Sequence, residues 1–295
     1  MGIINRPLRS VLYVPADRGS SVGKATLRGA DAVIFDLEDS VAPDARDVGR
    51  EALRQYFRDQ PSAPVPRIIR INGLHTQWGT EDFLAARSCR PDAILLPKVS
   101  SRTDLDMVFD ALNQTDAPDT MKVWAMIETP RGVANCASFA QSCADDGCPL
   151  TCLVAGTNDL FKETGLVGIN ARDTARSWLM QIVLGARCGG LSVLDGVYND
   201  HTDTDGFSAH CIQGAQMGFD GVTVIHPRQI EPANHHYAPS PEAVENARRI
   251  VNAFRVPANA AKGVISLDGR MVERLHLEQA EALLEKAQMM GEPKQ

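Results

Sequence analysis

No run of about 18 apolar residues occurs in the 295-residue chain, so no membrane-spanning helix is predicted. The opening segment, MGIINRPLRS, has no long apolar core of the kind a secretory signal needs, and a cytoplasmic protein is expected. No basic block stands out and the net charge is -7, which argues against nucleic acid or an anionic membrane surface as partner. An anionic substrate must then be held by a few local Arg or Lys side chains. CxxC spacing is absent. The cysteines number seven, an odd count: Cys89, Cys136, Cys143, Cys148, Cys152, Cys188 and Cys211. Cys148 and Cys152 have no second pair and no histidine pair to complete a zinc site. All seven are expected to be reduced, mostly buried thiols. The glycine fingerprint of a dinucleotide fold is also missing, since Val14-Pro15-Ala16-Asp17-Arg18 follows the first strand.

Apolar residues make up 44% of the chain and charged ones 23%, so a large core forms without disulfides or structural metal. Stretches at 10–15, 31–39, 67–73, 93–99, 123–127, 150–156, 192–198 and 221–227, each built on an apolar run, read as strands. Helical patterns separate them: one carrying Val22, Ala25 and Leu27, then 45–59, 80–88, 101–113, 132–142, 172–188 and 205–217, with a longer excursion over 161–171. Helices over 228–234 and 241–254 follow the eighth strand. Eight strand–helix units at a repeat of roughly 25–30 residues predict an α/β fold, a (β/α)8 TIM barrel, rather than an open doubly wound sheet. The division expected is a barrel over residues 1–256 and an extension over 257–295. The boundary falls within a small-residue linker (255–264), and the extension goes on to a turn around Asp268-Gly269 and a final helix over 275–289. It either packs on its own barrel or serves as a lid or swapped arm.

Strand C-termini of such a barrel converge on one face. Those ends carry Glu38, Asp39, Arg70, Lys98, Glu128, Asp159 and His226. Glu128 closes KVWAMIETP, an apolar run stopped by a helix-breaking proline. Like charges crowded at one mouth repel, and a divalent cation resolves the conflict. Glu128 and Asp159, on neighbouring strands with no Cys or His cluster beside them, are the expected ligands. Hard oxygen donors completed by water and substrate suit Mg2+, with Mn2+ as an alternative. Glu38 and Asp39 would accept hydrogen bonds from metal-bound water. Arg70 is a fixed fork suited to a carboxylate or a developing oxyanion, and with a metal it could stabilise an enolate beside a carbonyl. Lys98 is read as an ion-pair former against a Schiff-base lysine, and His226 as structural against catalytic.

The segments LRSVLYVPADR, ADAVIFDLEDSVAPDAR, RIIRINGLHTQWGTEDF, PDAILLPKV, WAMIETPRGV, LVAGTNDL and GVTVIHPRQI together resemble the HpcH/HpaI aldolase and citrate lyase β-subunit-like family over nearly the whole chain. They look most like its acyl-CoA branch: malyl-CoA, β-methylmalyl-CoA and citramalyl-CoA lyases and the related malyl-CoA thioesterase. The resemblance implies a Mg2+-dependent enzyme on an acyl-CoA thioester, with glyoxylate or pyruvate as the small oxo-acid. It implies metal ligands at Glu128 and Asp159, a substrate-orienting Arg70, supporting acids at Glu38 and Asp39, and CoA contacts at Arg18 and Lys24. It also implies a homotrimer or hexamer whose C-terminal segment closes over a neighbouring subunit's site. The family's proton-transfer acid lies in a pattern similar to G-x-M-I-D. Here Gly269-Arg270-Met271-Val272-Glu273 stands in its place, so Glu273 or Asp268 is the expected acid, and hydrolysis competes with carbon–carbon cleavage as the activity. A citrate lyase β-like component of an acyl-carrier complex is a further reading, against which the length of the tail beyond residue 262 would count.

Overall fold

Eight strands of four to six residues hydrogen-bond in chain order, all parallel, and close on themselves as a barrel. The computed structural model describes residues 7–18, 29–115, 117–144 and 147–290. The helix expected around Val22 to Leu27, and Lys24 within it, lie outside the described residues. The strands are β1 (Ser10–Pro15), β2 (Ala32–Asp36), β3 (Arg67–Arg70), β4 (Ala93–Leu96), β5 (Lys122–Ile127), β6 (Leu150–Ala155), β7 (Ser192–Asp195) and β8 (Gly221–Val224). Helices α1 (Arg46–Asp59), α2 (Gly79–Cys89), α3 (Arg102–Gln114) and α4 (Pro130–Gln141) follow β2 to β5. After β6 come α5 (Thr157–Thr164), α6 (Ala171–Thr174) and α7 (Arg176–Cys188); after β7 comes α8 (Thr204–Met217), and after β8 comes α9 (Ile230–His236). The closed parallel barrel is the architecture that the repeat of strand and helix predicted.

Two departures sit beside β6 and β8. The sequence suggested that Thr157 to Leu160 ends the strand before a longer excursion over 161–171, but the chain turns into α5 at Thr157, with Asp159 in its first turn. An acid there complements the partial positive charge of a helix start. His226 does not join the strand-end cluster. Its Nδ1 accepts from the Arg228 amide at 3.2 Å and starts the short 3-10 helix Pro227–Gln229, while its ring lies tilted against that of His201, with centroids 4.4 Å apart.

The bore is filled from alternate strand positions. Val11, Ala32, Ile34, Ile68, Ala93, Leu95, Trp124, Met126, Cys152, Val154 and Leu194 form one apolar cluster, with Tyr13 packed against it. The other parity faces the helices: Phe35, fully buried, meets Tyr56 and Phe57 edge-on at ring distances of 5.1 and 5.9 Å. All seven cysteines are free, and Cys89, Cys136, Cys143, Cys152 and Cys211 are buried. No described helix is long and apolar enough to cross a membrane.

By its internal packing the chain divides into two compact units, Met1–His235 and His236–Gln295. The second contains α10 (Pro241–Arg255), a hairpin of β9 (Val264–Leu267) and β10 (Arg270–Glu273), and α11 (Arg274–Met289). Ala247 and Val251 of α10 pack on Ala280 of α11, and Phe254 packs on Ile265 and Val272 of the hairpin. Asp268 and Gly269 make the two-residue turn with φ of 51° and 75°. An Asp-Gly pair is suited to that left-handed conformation, which matches the twist of the flanking strands.

Within the first unit, Asp195 at the end of β7 is fully buried. It pairs with Arg172, lies 3.6 Å from His210 Nε2, and accepts from the Gly196 amide at 2.8 Å. Burial holds the His210 imidazole below its ordinary 6.5; Asp195 opposes that and Arg172 adds to it. The ring is therefore neutral in the fold. As pH falls through 6.5 the unfolded chain takes up a proton that the folded chain refuses, so stability falls with pH. Between about pH 7.5 and pH 5.5 the urea midpoint of wild type should therefore fall relative to that of His210→Gln. An unchanged difference between the two proteins would contradict the assignment.

Candidate active site

The alternation that fills the bore with apolar groups ends, at its C-terminal mouth, in charged ones. On β2 the inward series Ala32, Ile34 continues to Asp36. On β3, Ile68 leads to Arg70. Past β5, Trp124 and Met126 lead to Glu128, and past β6, Cys152 and Val154 lead to Gly156. Period-2 geometry alone places these four around the top of the bore. The register pairs Asp36 with Arg70 across β2 and β3. Arg70 Nε and Nη2 donate to Asp36 Oδ1 and Oδ2 at 2.6 and 2.7 Å, a two-pronged contact between side chains that are 9% and 1% exposed. Asp36 also accepts from the amides of Glu38 and Ser40 and from the Ser40 hydroxyl. Burial alone would raise its carboxyl, but Arg70 and these donors hold it below the ordinary value. Burial likewise works against the Arg70 charge, and Asp36, Tyr13 and Glu38 more than offset it.

Arg70 Nη1 turns to two further acids, Glu38 Oε2 at 2.9 Å and Asp39 Oδ2 at 3.2 Å. The Glu38 contact is out of line for a hydrogen bond, and Oε2 is left buried without a hydrogen-bond partner. Burial, with Asp39 beside it, lifts the Glu38 carboxyl to about 7 against the pull of Arg70. Glu128 is 1% exposed. Burial, and then Glu38, push it up to about 8. Its Oε1 accepts from the Lys98 amide at 2.7 Å. Beside it only glycine fits at 156, since a Cβ there would lie 2.4 Å from Glu128 Cβ and 2.7 Å from Oε2. Glu128 ends its strand because Thr129 caps α4, accepting from the Gly132 amide at 2.9 Å, with Pro130 in the first turn. Asp159 stands on α5, its side chain 26% exposed, and Lys98 Nζ lies 3.8 Å from its Oδ1 and 3.2 Å from Glu38 Oε1.

These groups border a cavity of about 250 Å3 lined by Asp36, Asp39, Arg70, Glu128 and Asp159, together with Tyr13, Asn158 and Asn199. Asn158 and Asn199 exchange amide hydrogen bonds at 2.9 and 3.2 Å, tying the start of α5 to the loop after β7. Of the residues expected at the mouth, Arg70, Glu128, Asp159 and Asp39 line the cavity. Glu38 and Lys98 bind to its walls, and the Lys98 contacts are those of an ion-pair former. Arg18 is exposed just past the turn that follows β1, and Lys24 is outside the described residues. Glu273 and Asp268 belong to the second compact unit. There Glu273 precedes α11, its amide donating to His276 Nδ1 at 2.9 Å, and Asp268 pairs with Arg249. Asp36 was missed, although counting alternate residues along Ala32-Val33-Ile34-Phe35-Asp36 would have found it. Tyr13 was missed too; its hydroxyl is buried without a hydrogen-bond partner.

The donor set suits a hard cation. Among the described residues, five carboxyl groups (Asp36, Glu38, Asp39, Glu128, Asp159) face two cations (Arg70, Lys98), and two of the five are pushed toward protonation by burial and by the neighbouring acids. An added positive charge relieves that crowding. No group of three or more His, Cys, Asp or Glu among the described residues could hold a metal ion. An ion on Glu128 and Asp159 would therefore need further oxygen ligands, which water and substrate can supply, a pattern usual for Mg2+.

Asp36→Asn should leave the buried guanidinium short of its main partner and cost about 3–5 kcal/mol of stability by urea denaturation. A loss under about 1 kcal/mol would show that Glu38 and Asp39 suffice to hold it.

A model of the HpcH/HpaI aldolase/citrate lyase family matches residues 9–227. A (3S)-malyl-CoA thioesterase of Cereibacter sphaeroides (strain ATCC 17025 / ATH 2.4.3) is 42% identical over 97% of this chain and 96% of its own. The citrate lyase subunit beta of Escherichia coli (strain K12) is 30% identical over 97% of this chain and 95% of its own. That match runs through the tail, so tail length does not set this chain apart from citrate lyase β-subunits. The crystal structure of CitE from Mycobacterium tuberculosis, in complex with magnesium, acetoacetate and coenzyme A, superposes with a TM-score of 0.77. It is 31% identical and covers 96% of this chain and 98% of its own. With its barrel, its charged mouth and these matches, the chain belongs to the HpcH/HpaI aldolase/citrate lyase family.

Proposed function

We propose that this chain is a Mg2+-dependent carbon–carbon lyase. Its substrate is a 3-hydroxyacyl-CoA such as malyl-CoA, β-methylmalyl-CoA or citramalyl-CoA, and its products are acetyl- or propionyl-CoA and glyoxylate or pyruvate. The observation that carries this reading is the cavity shared by two carboxyl groups from adjacent units, Glu128 and Asp159, and a buried guanidinium, Arg70. Glu128 and Asp159 hold the ion, and Mn2+ can take the same ligands. When bound, it supplies Lewis-acid polarisation of the oxygen atoms at the hydroxy- or keto-carboxylate end of the substrate. Glu38 and Asp39 support it through hydrogen bonds from water.

Arg70 cannot swing away, because Asp36 grips its Nε–Nη2 edge. Its charge is thus fixed beside the cavity before substrate arrives. In cleavage the substrate hydroxyl gives its proton to water in the cavity, its oxygen becomes the carbonyl of the oxo-acid, and the electrons of the breaking carbon–carbon bond pass toward the thioester. Negative charge gathers on the thioester oxygen, where a preorganised guanidinium stabilises it without reorganising. The α-carbon then takes a proton. Glu273 is the acid assigned to that step. Asp268 is the lesser candidate, because it shapes the hairpin turn and pairs with Arg249. Residues 257–295 act as a lid, in a homotrimer or hexamer, and exclude water from the enolate. Arg18 and Lys24 are assigned to CoA. The chain works in the cytoplasm.

A second reading is hydrolysis of (3S)-malyl-CoA at the same site, favoured by the 42% identity to thioesterases. Water admitted to the thioester carbonyl would use the same metal ligands and the same Arg70. The 30% identity to citrate lyase β-subunits supports, less strongly, a role within an acyl-carrier complex.

Purified protein should convert one of the three thioesters with Mg2+ and lose activity in EDTA. Glyoxylate or pyruvate released without free thiol marks the lyase, and free CoA thiol marks the thioesterase. Asp159→Ala should fall below about 1% of wild-type turnover. Turnover near wild type without added metal would remove Asp159 from the ligand set. Arg70→Lys should lower kcat by about 100-fold, since a point charge cannot keep both the Asp36 contact and the cavity-facing charge. A change confined to KM would contradict the oxyanion role.

A further inference from the structure

Three described residues other than glycine have positive φ: Arg90, Lys98 and Asp268. Arg90 ends α2 as its left-handed cap, and Asp268 makes the hairpin turn. Lys98 does neither. It lies after Pro97 with φ of 53°, between the end of β4 and the start of α3. A side chain in that conformation costs about 1 kcal/mol or more and persists only where its surroundings enforce it. The contacts of Lys98 supply the reason. Its amide donates to Glu128 Oε1 at 2.7 Å, while its ammonium reaches Glu38 Oε1 at 3.2 Å and Asp159 Oδ1 at 3.8 Å. One residue thus touches three acids of the mouth, two by side chain and one by backbone. With this backbone the amide and the ammonium of one residue face the same mouth.

We propose that Lys98 is the resident counter-ion of the mouth. Its strained backbone amide fixes the rotamer of Glu128, and its ammonium neutralises Glu38 and Asp159 until a divalent cation contends with it for Asp159. Lys98 is a positioning residue, not a catalytic one, and this inference rests on the reading of Glu128 and Asp159 as metal ligands. The 3.8 Å contact with Asp159 is looser than the 3.2 Å contact with Glu38, and the side chain is 37% exposed. The ammonium can therefore give up Asp159, stay with Glu38 and remain partly in water. Its presence keeps the acidic mouth stable without metal and weakens metal binding by like-charge repulsion.

The test is isothermal titration of MgCl2 into the metal-free full-length protein, at fixed pH and ionic strength. Wild type is compared with Lys98→Met, Lys98→Gly and Lys98→Arg, each also melted without metal. Glycine adopts the left-handed backbone freely, so Lys98→Gly removes the ammonium and keeps the amide on Glu128. Both neutral variants should melt lower without metal. Lys98→Gly should bind Mg2+ about tenfold more tightly than wild type, and Lys98→Arg about as wild type does. A purely structural ion pair would lower the melting temperature and leave the Mg2+ affinity unchanged. Wild-type binding of Mg2+ with equal or weaker binding by Lys98→Gly therefore overturns the proposal, and that variant decides the matter if Lys98→Met fails to fold. Wild type that binds no Mg2+ overturns the metal reading itself, and this inference with it.

Discussion

The two-pronged contact between Asp36 and Arg70 holds the mouth of the barrel together. It is set by the register of β2 against β3, which places the two residues side by side at the end of their strands. A cation and an anion taken out of water are stable only when each is well paired. Asp36 meets that condition with donors on both oxygens. Arg70 has charge to spare for Glu38 and Asp39, and so the acids that follow β2 can crowd the same opening. Without the guanidinium the inner ring of the barrel would carry several carboxylates and almost nothing to hold them.

With it, the mouth is still short of positive charge. Glu38 and Glu128 are both driven toward their neutral forms by burial and by neighbouring acids. A fold that wanted only stability would be better served by apolar side chains of similar size. Such frustration is expected where a site is built for a charged ligand. The same shortage links the metal proposal to Lys98, whose ammonium is the remaining cation of this cluster among the described residues. Around it the protein is rigid: Gly156 admits the Glu128 side chain where any larger residue would collide with it, and the paired amides of Asn158 and Asn199 fix the start of α5.

Much of this was legible in the sequence because parallel strands are short, apolar and regularly spaced. The eight runs and the acids that end them give the closed barrel and the location of its mouth. What stayed hidden depended on pairing between distant segments. Asp36 looked like one acid among several in Asp36-Leu37-Glu38-Asp39; alternation along the strand turns it inward, but its pairing with Arg70 comes from the β2–β3 register. His226 was read as a structural strand-end residue, and the structural part it plays is the cap of a 3-10 helix, a role local hydrogen bonding assigns and hydrophobic pattern does not. The left-handed backbone of Lys98 has no sequence signal comparable to the Asp268-Gly269 turn. The family resemblance, carried by long motifs in order, was borne out by the matched family model and by relatives covering almost the whole chain.

The central claim is that Glu128 and Asp159 share one divalent cation. Crystals soaked in MnCl2 and measured for anomalous scattering test it most directly. A single strong peak bridging the Glu128 and Asp159 carboxylates is the expected result. A peak elsewhere, or none at this mouth in crystals whose cavity is open to solvent, would contradict the account.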